Sequence, residues 1–126
     1  MKKEPVQTTL APAAIGTYSQ AIKAGNFVFI SGQIPLDPDS GQLVGGDIRA
    51  QIDQVFKNLS AVAEAGGTSL RNAVKITVFL TDLTHFSVVN EVMEQYFEQP
   101  YPARAALGVA ALPLGAAVEA DAILTA

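Results

Sequence analysis

The chain alternates between stretches typical of β-strands and stretches with the spacing of amphipathic helices. Six stretches are rich in β-branched or aromatic residues, or alternate between apolar and polar positions. They comprise residues 17–24, 26–31, 42–44, 74–80, 103–110 and 117–125. Residues 74–80 (VKITVFL) predict a central strand. The first dozen residues are polar and contain prolines, which predicts a tail or an extension of the sheet edge.

Apolar residues at three- and four-residue steps predict a first helix after Asp47. The Asp47 carboxylate is suited to accept hydrogen bonds from the free amides of the first turn. Gly66-Gly67 can end the helix, because glycine adopts a left-handed conformation without steric cost. The predicted buried face consists of Ile48, Ile52, Val55, Phe56, Leu59 and Val62.

A second helix is predicted to open at Thr81 or Asp82 and to stop before Pro100 and Pro102. Its predicted buried face consists of Phe86, Val89, Met93 and Phe97. Two helices interspersed among strands predict a two-layer α+β fold, with both helices on one face of a mostly antiparallel sheet. Residues 1–126 are expected to form a single domain. The other face of the sheet would be bare, which favours oligomerisation.

The composition supports an oligomer and excludes several partners. Only 16% of the residues are charged, against about 25% in average globular proteins, so part of the surface is expected to lie between subunits. The net charge is −4, and Lys2-Lys3 is the only pair of adjacent basic residues. The chain therefore lacks the basic surface that a nucleic-acid partner would require. The chain contains no cysteine, no apolar signal core and no apolar run of the roughly 20 residues that a membrane helix needs. A cytoplasmic protein without a membrane partner is therefore predicted.

Arg104 and Glu119 are the first candidates for chemistry. Arg104 stands among small apolar residues of a predicted strand, where its guanidinium needs an anion from the protein or from a ligand. An internal salt bridge with Glu119 or Asp121 would meet the same need. Glu119 and Asp121 point to one face of their strand, where two close carboxylates raise each other's pKa and suit proton transfer. The same alternation is also typical of a solvated outer face.

Other polar residues give weaker signals. Tyr18, Ser31 and Asn90 lie next to apolar structure, and Gly32 permits close approach of a ligand to the main chain. The single histidine, His85, cannot build a metal site, and its position favours a partly exposed helix residue over a catalytic one. No nucleophile elbow, phosphate-binding loop or dinucleotide fingerprint is present.

Segments along nearly the whole chain resemble the Rid (reactive intermediate deaminase) family, also called YjgF-like or endoribonuclease L-PSP-like. They are Ala11-Pro12-Ala13-Ala14-Ile15-Gly16, Tyr18-Ser19-Gln20-Ala21, Ser31-Gly32-Gln33-Ile34-Pro35, Val55-Phe56-Lys57-Asn58-Leu59, Val74-Lys75-Ile76-Thr77-Val78-Phe79-Leu80, Val89-Asn90, Pro102-Ala103-Arg104, Leu112-Pro113-Leu114 and Val118-Glu119. The chain departs from many members at Thr17, where they have proline, and at Ala106, where they have cysteine.

The resemblance implies a chorismate-mutase-like fold, assembled as a homotrimer with clefts between subunits. It implies hydrolysis of 2-imino acids such as 2-iminobutanoate and 2-iminopropanoate to 2-oxo acids and ammonia, without cofactor or metal. In that family the equivalent of Arg104 holds the substrate carboxylate, and the equivalent of Glu119 handles the water and its protons. Tyr18, Ser31 and Asn90 match further pocket positions, and the main chain near Gly32 and Ala106 lines the site.

Three alternatives remain beside deamination. The protein could be a non-catalytic regulatory module in which Arg104 holds a small carboxylate such as a 2-oxo acid. It could act as a chaperone-like or ribonuclease-like surface, although the acidic charge disfavours the nuclease. Chorismate mutase activity needs several cations around a dianionic substrate, whereas the only arginines are Arg49, Arg71 and Arg104.

Overall fold

One six-stranded sheet with two helices on one face makes up the fold of residues 2–126, which the computed structural model describes. The strands are β1 (Lys3–Val6), β2 (Ala21–Ala24), β3 (Phe27–Gln33), β4 (Ala73–Leu80), β5 (Ala103–Gly108) and β6 (Val118–Thr125). The helices are α1 (Ile48–Ala65) and α2 (Phe86–Tyr96), with short 3₁₀ turns at Leu70–Asn72, Leu83–His85 and Pro113–Gly115.

The strand order is β1-β2-β3-β6-β4-β5. Every neighbouring pair is antiparallel except β4 and β5, which run parallel. The predicted two-layer α+β class and the mostly antiparallel sheet are confirmed, and β4 lies inside the sheet as expected. The last strand, β6, sits between β3 and β4, so residues near the C-terminus lie at the centre of the molecule.

Helix α1 forms where its apolar spacing predicts it. The Asp47 carboxylate accepts a hydrogen bond from the Ala50 amide at 2.9 Å, and the chain leaves the helix through Gly67 at φ 80°. The apolar stripe packs against the sheet, with Ile52, Val55, Phe56, Leu59 and Val62 fully buried. Burial of one such side chain contributes about 1.5–3 kcal/mol to folding.

Helix α2 starts later than predicted. Asp82 does act as a cap, but its carboxylate accepts the Thr84 amide at 2.9 Å and so closes a 3₁₀ turn, Leu83–His85. The α-helix begins only at Phe86. Of the predicted buried face, Val89, Met93 and Phe97 are buried, and Val92 joins them. Phe86 was also predicted to be buried, but it is only half-buried, so this prediction is wrong.

The ends of the strands also differ from the sequence pattern. The strand expected at residues 17–24 begins only at Ala21, and the Gln20 side chain before it forms hydrogen bonds to residues 8–12. The strand expected at residues 42–44 is reduced to a single bridge between Leu36 and Leu43. Within the predicted N-terminal extension, residues 3–6 form the edge strand β1.

The two faces of the sheet have different environments. Val118, Ala120, Ala122 and Leu124 of β6 are buried against the helices. The opposite side, called the open face from here on, carries exposed Phe27, Phe29 and Leu107. A bare and partly apolar sheet face, as predicted, is therefore present in the single chain. No helix among residues 2–126 has the length and apolar character needed to cross a membrane.

Candidate active site

Glu119 lies on the open face of β6. Its strand partner across the sheet is Phe79, and its buried neighbours Val118 and Ala120 point to the helices. Partial burial raises the pKa of the Glu119 carboxyl above its usual range, and the negative charge of Asp121, two residues further on, raises it as well. Of the predicted mutual effect, Asp121 therefore raises the pKa of Glu119, whereas burial raises the pKa of Asp121. A raised pKa favours a carboxyl group that can accept and return a proton.

A bulge in β3 brings main chain against this carboxylate. Ile30 pairs with Ala122 and Gln33 with Ala120, so β3 contains one residue more than β6 over this interval. The extra residue places Gly32 beside Glu119, where a β-carbon would collide with the Glu119 carboxylate. A side chain at position 32 would therefore require the Glu119 side chain to shift.

Glu119 opens into a cavity of about 360 Å³, called the Glu119 cavity from here on. Its lining residues are Pro12, Ala13, Ile15, Tyr18, Gly32, Gln33, Ile34, Leu36, Pro113, Leu114 and Glu119. Of the predicted pocket residues, Tyr18 and Gly32 are therefore at this cavity. Ser31 is not among its lining residues, since its hydroxyl donates to the Ser19 carbonyl oxygen at 2.5 Å.

Arg104 lies on the helix side of the sheet. Its neighbour on β4 is Ile76, which is fully buried under the helices. The guanidinium donates from Nη1 to Asn90 Oδ1 at 2.6 Å and lies 4.7 Å from the centre of the Phe86 ring. The same nitrogen is 3.6 Å from Met93 Sδ. Helix α2 therefore supports the charge with an amide, an aromatic face and a thioether.

The Arg104 charge has no acidic partner among residues 2–126. The ion pairs in that range involve Arg49, Lys57, Arg71 and His85. The salt bridge to Glu119 or Asp121 considered from the sequence is wrong, because those carboxylates lie on the opposite face of the sheet. Exposed nitrogens of the guanidinium remain able to bind an anion from outside the protomer.

Arg104 lines a second cavity of about 430 Å³, together with Asn90, Met93, Glu94, Tyr101 and Pro102. Ala106 follows two residues later on the same face of β5. The predicted site residues therefore fall into two groups. Tyr18, Gly32 and Glu119 surround the first cavity, and Asn90 and Arg104 surround the second.

Sequence reasoning placed Asn90 in the pocket but did not connect Phe86 and Met93 with Arg104. Phe86 and Met93 were predicted only as buried residues of α2. Together with Asn90, they form one side of the helix, at steps of four and three residues. That spacing was visible, but its meaning depends on the parallel pairing of β4 and β5, which places Arg104 opposite that side. Among residues 2–126, no three His, Asp or Glu side chains are grouped as metal ligands.

Comparison with known proteins identifies the family. The family model described as endoribonuclease L-PSP matches residues 8–126. The chain belongs to this family, which is also known as YjgF/Rid. The resemblance found in the sequence is thereby confirmed.

Relatives within the YjgF/Rid family are similar over almost their whole length. A 2-iminobutanoate/2-iminopropanoate deaminase of Mus musculus is 49% identical over 121 residues, covering 96% of this chain and 90% of its own. A RutC family protein of Pyrococcus abyssi is 49% identical, covering 98% of this chain and 97% of its own. The crystal structure of RidA from a Psychrobacter species superposes with a TM-score of 0.93 at 53% identity, covering 98% of this chain and 99% of its own.

Proposed function

We propose that this protein hydrolyses small reactive 2-imino acids, such as 2-iminobutanoate and 2-iminopropanoate, to 2-oxo acids and ammonia. The reaction is R–C(=NH)–COO⁻ + H₂O → R–C(=O)–COO⁻ + NH₃. One observation carries the proposal: the Arg104 guanidinium is held in place by Asn90 and Phe86, yet has no carboxylate partner among residues 2–126. The names of similar proteins, among them the mouse deaminase, support it.

Arg104 would hold the substrate carboxylate. A guanidinium matches a carboxylate at two points, so it fixes both the position and the orientation of the imino acid. Asn90 Oδ1 accepts a hydrogen bond from Nη1, and the remaining N–H donors of the guanidinium would bind the substrate. Exposure of the side chain permits the substrate to enter without breaking an internal ion pair.

Glu119 would move the protons. In its ionised form it accepts a proton from water as the oxygen attacks the imine carbon, which gives a tetrahedral carbinolamine. It gives this proton to the nitrogen, which completes the neutral carbinolamine C(OH)(NH₂). It then takes the hydroxyl proton and passes it to the same nitrogen, so that the C–N bond breaks, ammonia leaves and the C=O bond forms. The raised pKa of Glu119 suits a group that first accepts a proton and then returns it. Tyr18 and the main chain at Gly32 line the same cavity and would orient the imine.

The two groups must come from different subunits to meet one substrate. Within the protomer, Arg104 faces the helices and Glu119 lies on the open face. We propose a homotrimer in which open faces associate and each site combines Arg104 of one subunit with Glu119 of another. The exposed apolar side chains Phe27, Phe29 and Leu107 support this association. A cytoplasmic location and the absence of a nucleic-acid partner are part of the same proposal.

The proposal predicts that Arg104→Ala abolishes most of the activity. With 2-iminobutanoate generated in situ by a threonine dehydratase, wild type should accelerate formation of 2-oxobutanoate. The variant should lose about a hundredfold or more in kcat/KM, because charge-assisted hydrogen bonds contribute about 1.5–3 kcal/mol each.

Arg71→Ala provides the matched control, since this exposed arginine pairs with Glu98 and lies on neither cavity. It should retain wild-type activity. Full activity in a folded Arg104→Ala variant would contradict the assigned role.

A non-catalytic carboxylate-binding module is the second candidate, because Arg104, which has no acidic partner among residues 2–126, would bind a carboxylate without any role for Glu119. It predicts saturable binding of a 2-oxo acid, detected by calorimetry and lost in Arg104→Ala, without acceleration of imine hydrolysis. Glu119→Gln separates the two functions, because it should abolish turnover in the enzyme and leave carboxylate binding intact.

A further inference from the structure

The buried polar side chains of this protein are concentrated at one place. Among residues 2–126 they are Gln20, Gln33 and Asn58. Gln33 itself lines the Glu119 cavity, and the other two hold segments that form its walls. A buried amide stabilises a fold only when it is fully hydrogen-bonded. The segments that hydrogen-bond to these three amides are therefore held in fixed positions.

Asn58 of α1 fixes the wall that follows β3. Its Nδ2 donates to the carbonyl oxygens of Ile34 at 3.2 Å and Leu36 at 3.0 Å. Its Oδ1 accepts from Gln54 at 2.9 Å. Ile34 and Leu36 both line the Glu119 cavity, so a single helix side chain holds this wall in place.

Gln20 fixes the N-terminal wall in the same way. Its Oε1 accepts the Thr8 amide at 2.7 Å, and its Nε2 donates to the carbonyl oxygens of Thr8 at 3.0 Å and Pro12 at 2.8 Å. Pro12, Ala13 and Ile15 follow and line the cavity. Both walls are thus preorganised by buried amides, although the surface that they present is apolar.

Two large apolar side chains stand at this cavity with little cover from the protomer. Ile15 is 78% exposed and Leu114 is 67% exposed. Leu114 also adopts φ 58°, the left-handed conformation that is unfavourable for a bulky residue and natural for glycine. A strained, exposed leucine contributes little to folding of the protomer, and strain of this kind is common where a ligand binds.

We infer that Ile15 and Leu114 are specificity-determining residues that receive the side chain of the substrate. The inference rests on the proposed deaminase function and deepens it, since it names the preferred substrates as imino acids with apolar side chains longer than ethyl. A cavity of about 360 Å³ has room for a side chain longer than ethyl beside the imine group and the attacking water, as one water molecule takes up about 30 Å³ of liquid. Its hydrocarbon walls match a branched aliphatic group.

The test compares two imines made in situ by an amino-acid oxidase, one from alanine and one from leucine. Wild type should act on both, with the higher kcat/KM for the leucine-derived imine. In Leu114→Gly, kcat/KM should fall about tenfold for the leucine-derived imine and less than about twofold for the alanine-derived one, because lost apolar contacts affect only the longer side chain. The variant should keep the wild-type Tm or exceed it, since glycine relieves the backbone strain.

Ile15→Ala tests the other wall and should show the same selective loss. Leu10→Ala is the matched control, because Leu10 is 73% exposed in the same N-terminal segment and does not line the cavity. Equal loss for both imines, no loss, or a changed elution volume in size-exclusion chromatography would overturn the inference; the last would assign these side chains to a subunit contact. If wild type accelerates neither imine, the proposed function fails first, and the inference falls with it.

Discussion

The two-residue spacing of Glu119 and Asp121 correctly predicted that both side chains lie on one face of β6. Their alternation with Val118, Ala120 and Ala122 places both carboxylates on one face, as a strand requires. Partial burial raises the pKa of each carboxyl, whereas Thr77 and Lys75 moderate the rise at Asp121. The sequence alone favoured a solvated face, because burial of β6 depends on its insertion between β3 and β4.

Removal of the Asp121 charge should change the pH dependence of activity. The Asp121 carboxylate disfavours ionisation of Glu119, so Asp121→Asn should lower the pKa of Glu119. If ionised Glu119 accepts the proton from water, the acidic limb of the pH profile of kcat/KM then moves to lower pH.

The control for this shift is Asp121→Glu, which keeps the negative charge and should leave the acidic limb near its wild-type position. An acidic limb of Asp121→Asn that stays in place or moves to higher pH would exclude the coupling.

At the level of elements, local patterns predicted the helices better than the ends of the strands. The apolar spacing and the Asp47 cap placed α1 correctly, since both act within one or two turns. The second helix was predicted to open at Thr81 or Asp82, but whether a 3₁₀ turn or an α-helix follows Asp82 depends on packing outside the segment. Residues 17–20 were assigned to a strand because nothing local shows that Gln20 bonds to residues 8–12.

Asn58 provides a test at this scale. In Asn58→Asp, a carboxylate oxygen replaces the amide group that donates to Ile34 and Leu36, so two carbonyl oxygens would face an acceptor. We expect the free energy of unfolding, measured with urea at neutral pH, to fall by about 1–3 kcal/mol.

Asn72→Asp is the matched control for Asn58→Asp, because Asn72 is exposed and its Nδ2 donates to Thr68 Oγ1 at 3.0 Å. Water can replace this bond, so the loss should be smaller. Equal losses in the two variants would contradict the role assigned to the buried amide.

At the scale of the whole molecule, the division of the site was beyond sequence reasoning. Arg104 and Glu119 were both predicted as site residues, yet which face each occupies depends on the strand order β3-β6-β4-β5. That order joins segments far apart in the chain, and periodicity within a segment carries no information about it. An internal salt bridge between them was therefore a reasonable alternative until the pairing of β4 with both β5 and β6 was known.

Complementation between two inactive variants tests the division directly. Arg104→Ala and Glu119→Gln should each be nearly inactive as homo-oligomers. When equal amounts are co-expressed and purified as mixed trimers, about a quarter of the sites should combine an intact Arg104 from one subunit with an intact Glu119 from another, so activity should return to about that fraction of wild type. A site contained within one subunit would give no recovery, since every chain lacks one of the two groups. Mixing the purified homo-oligomers without subunit exchange is the control, and it should remain inactive.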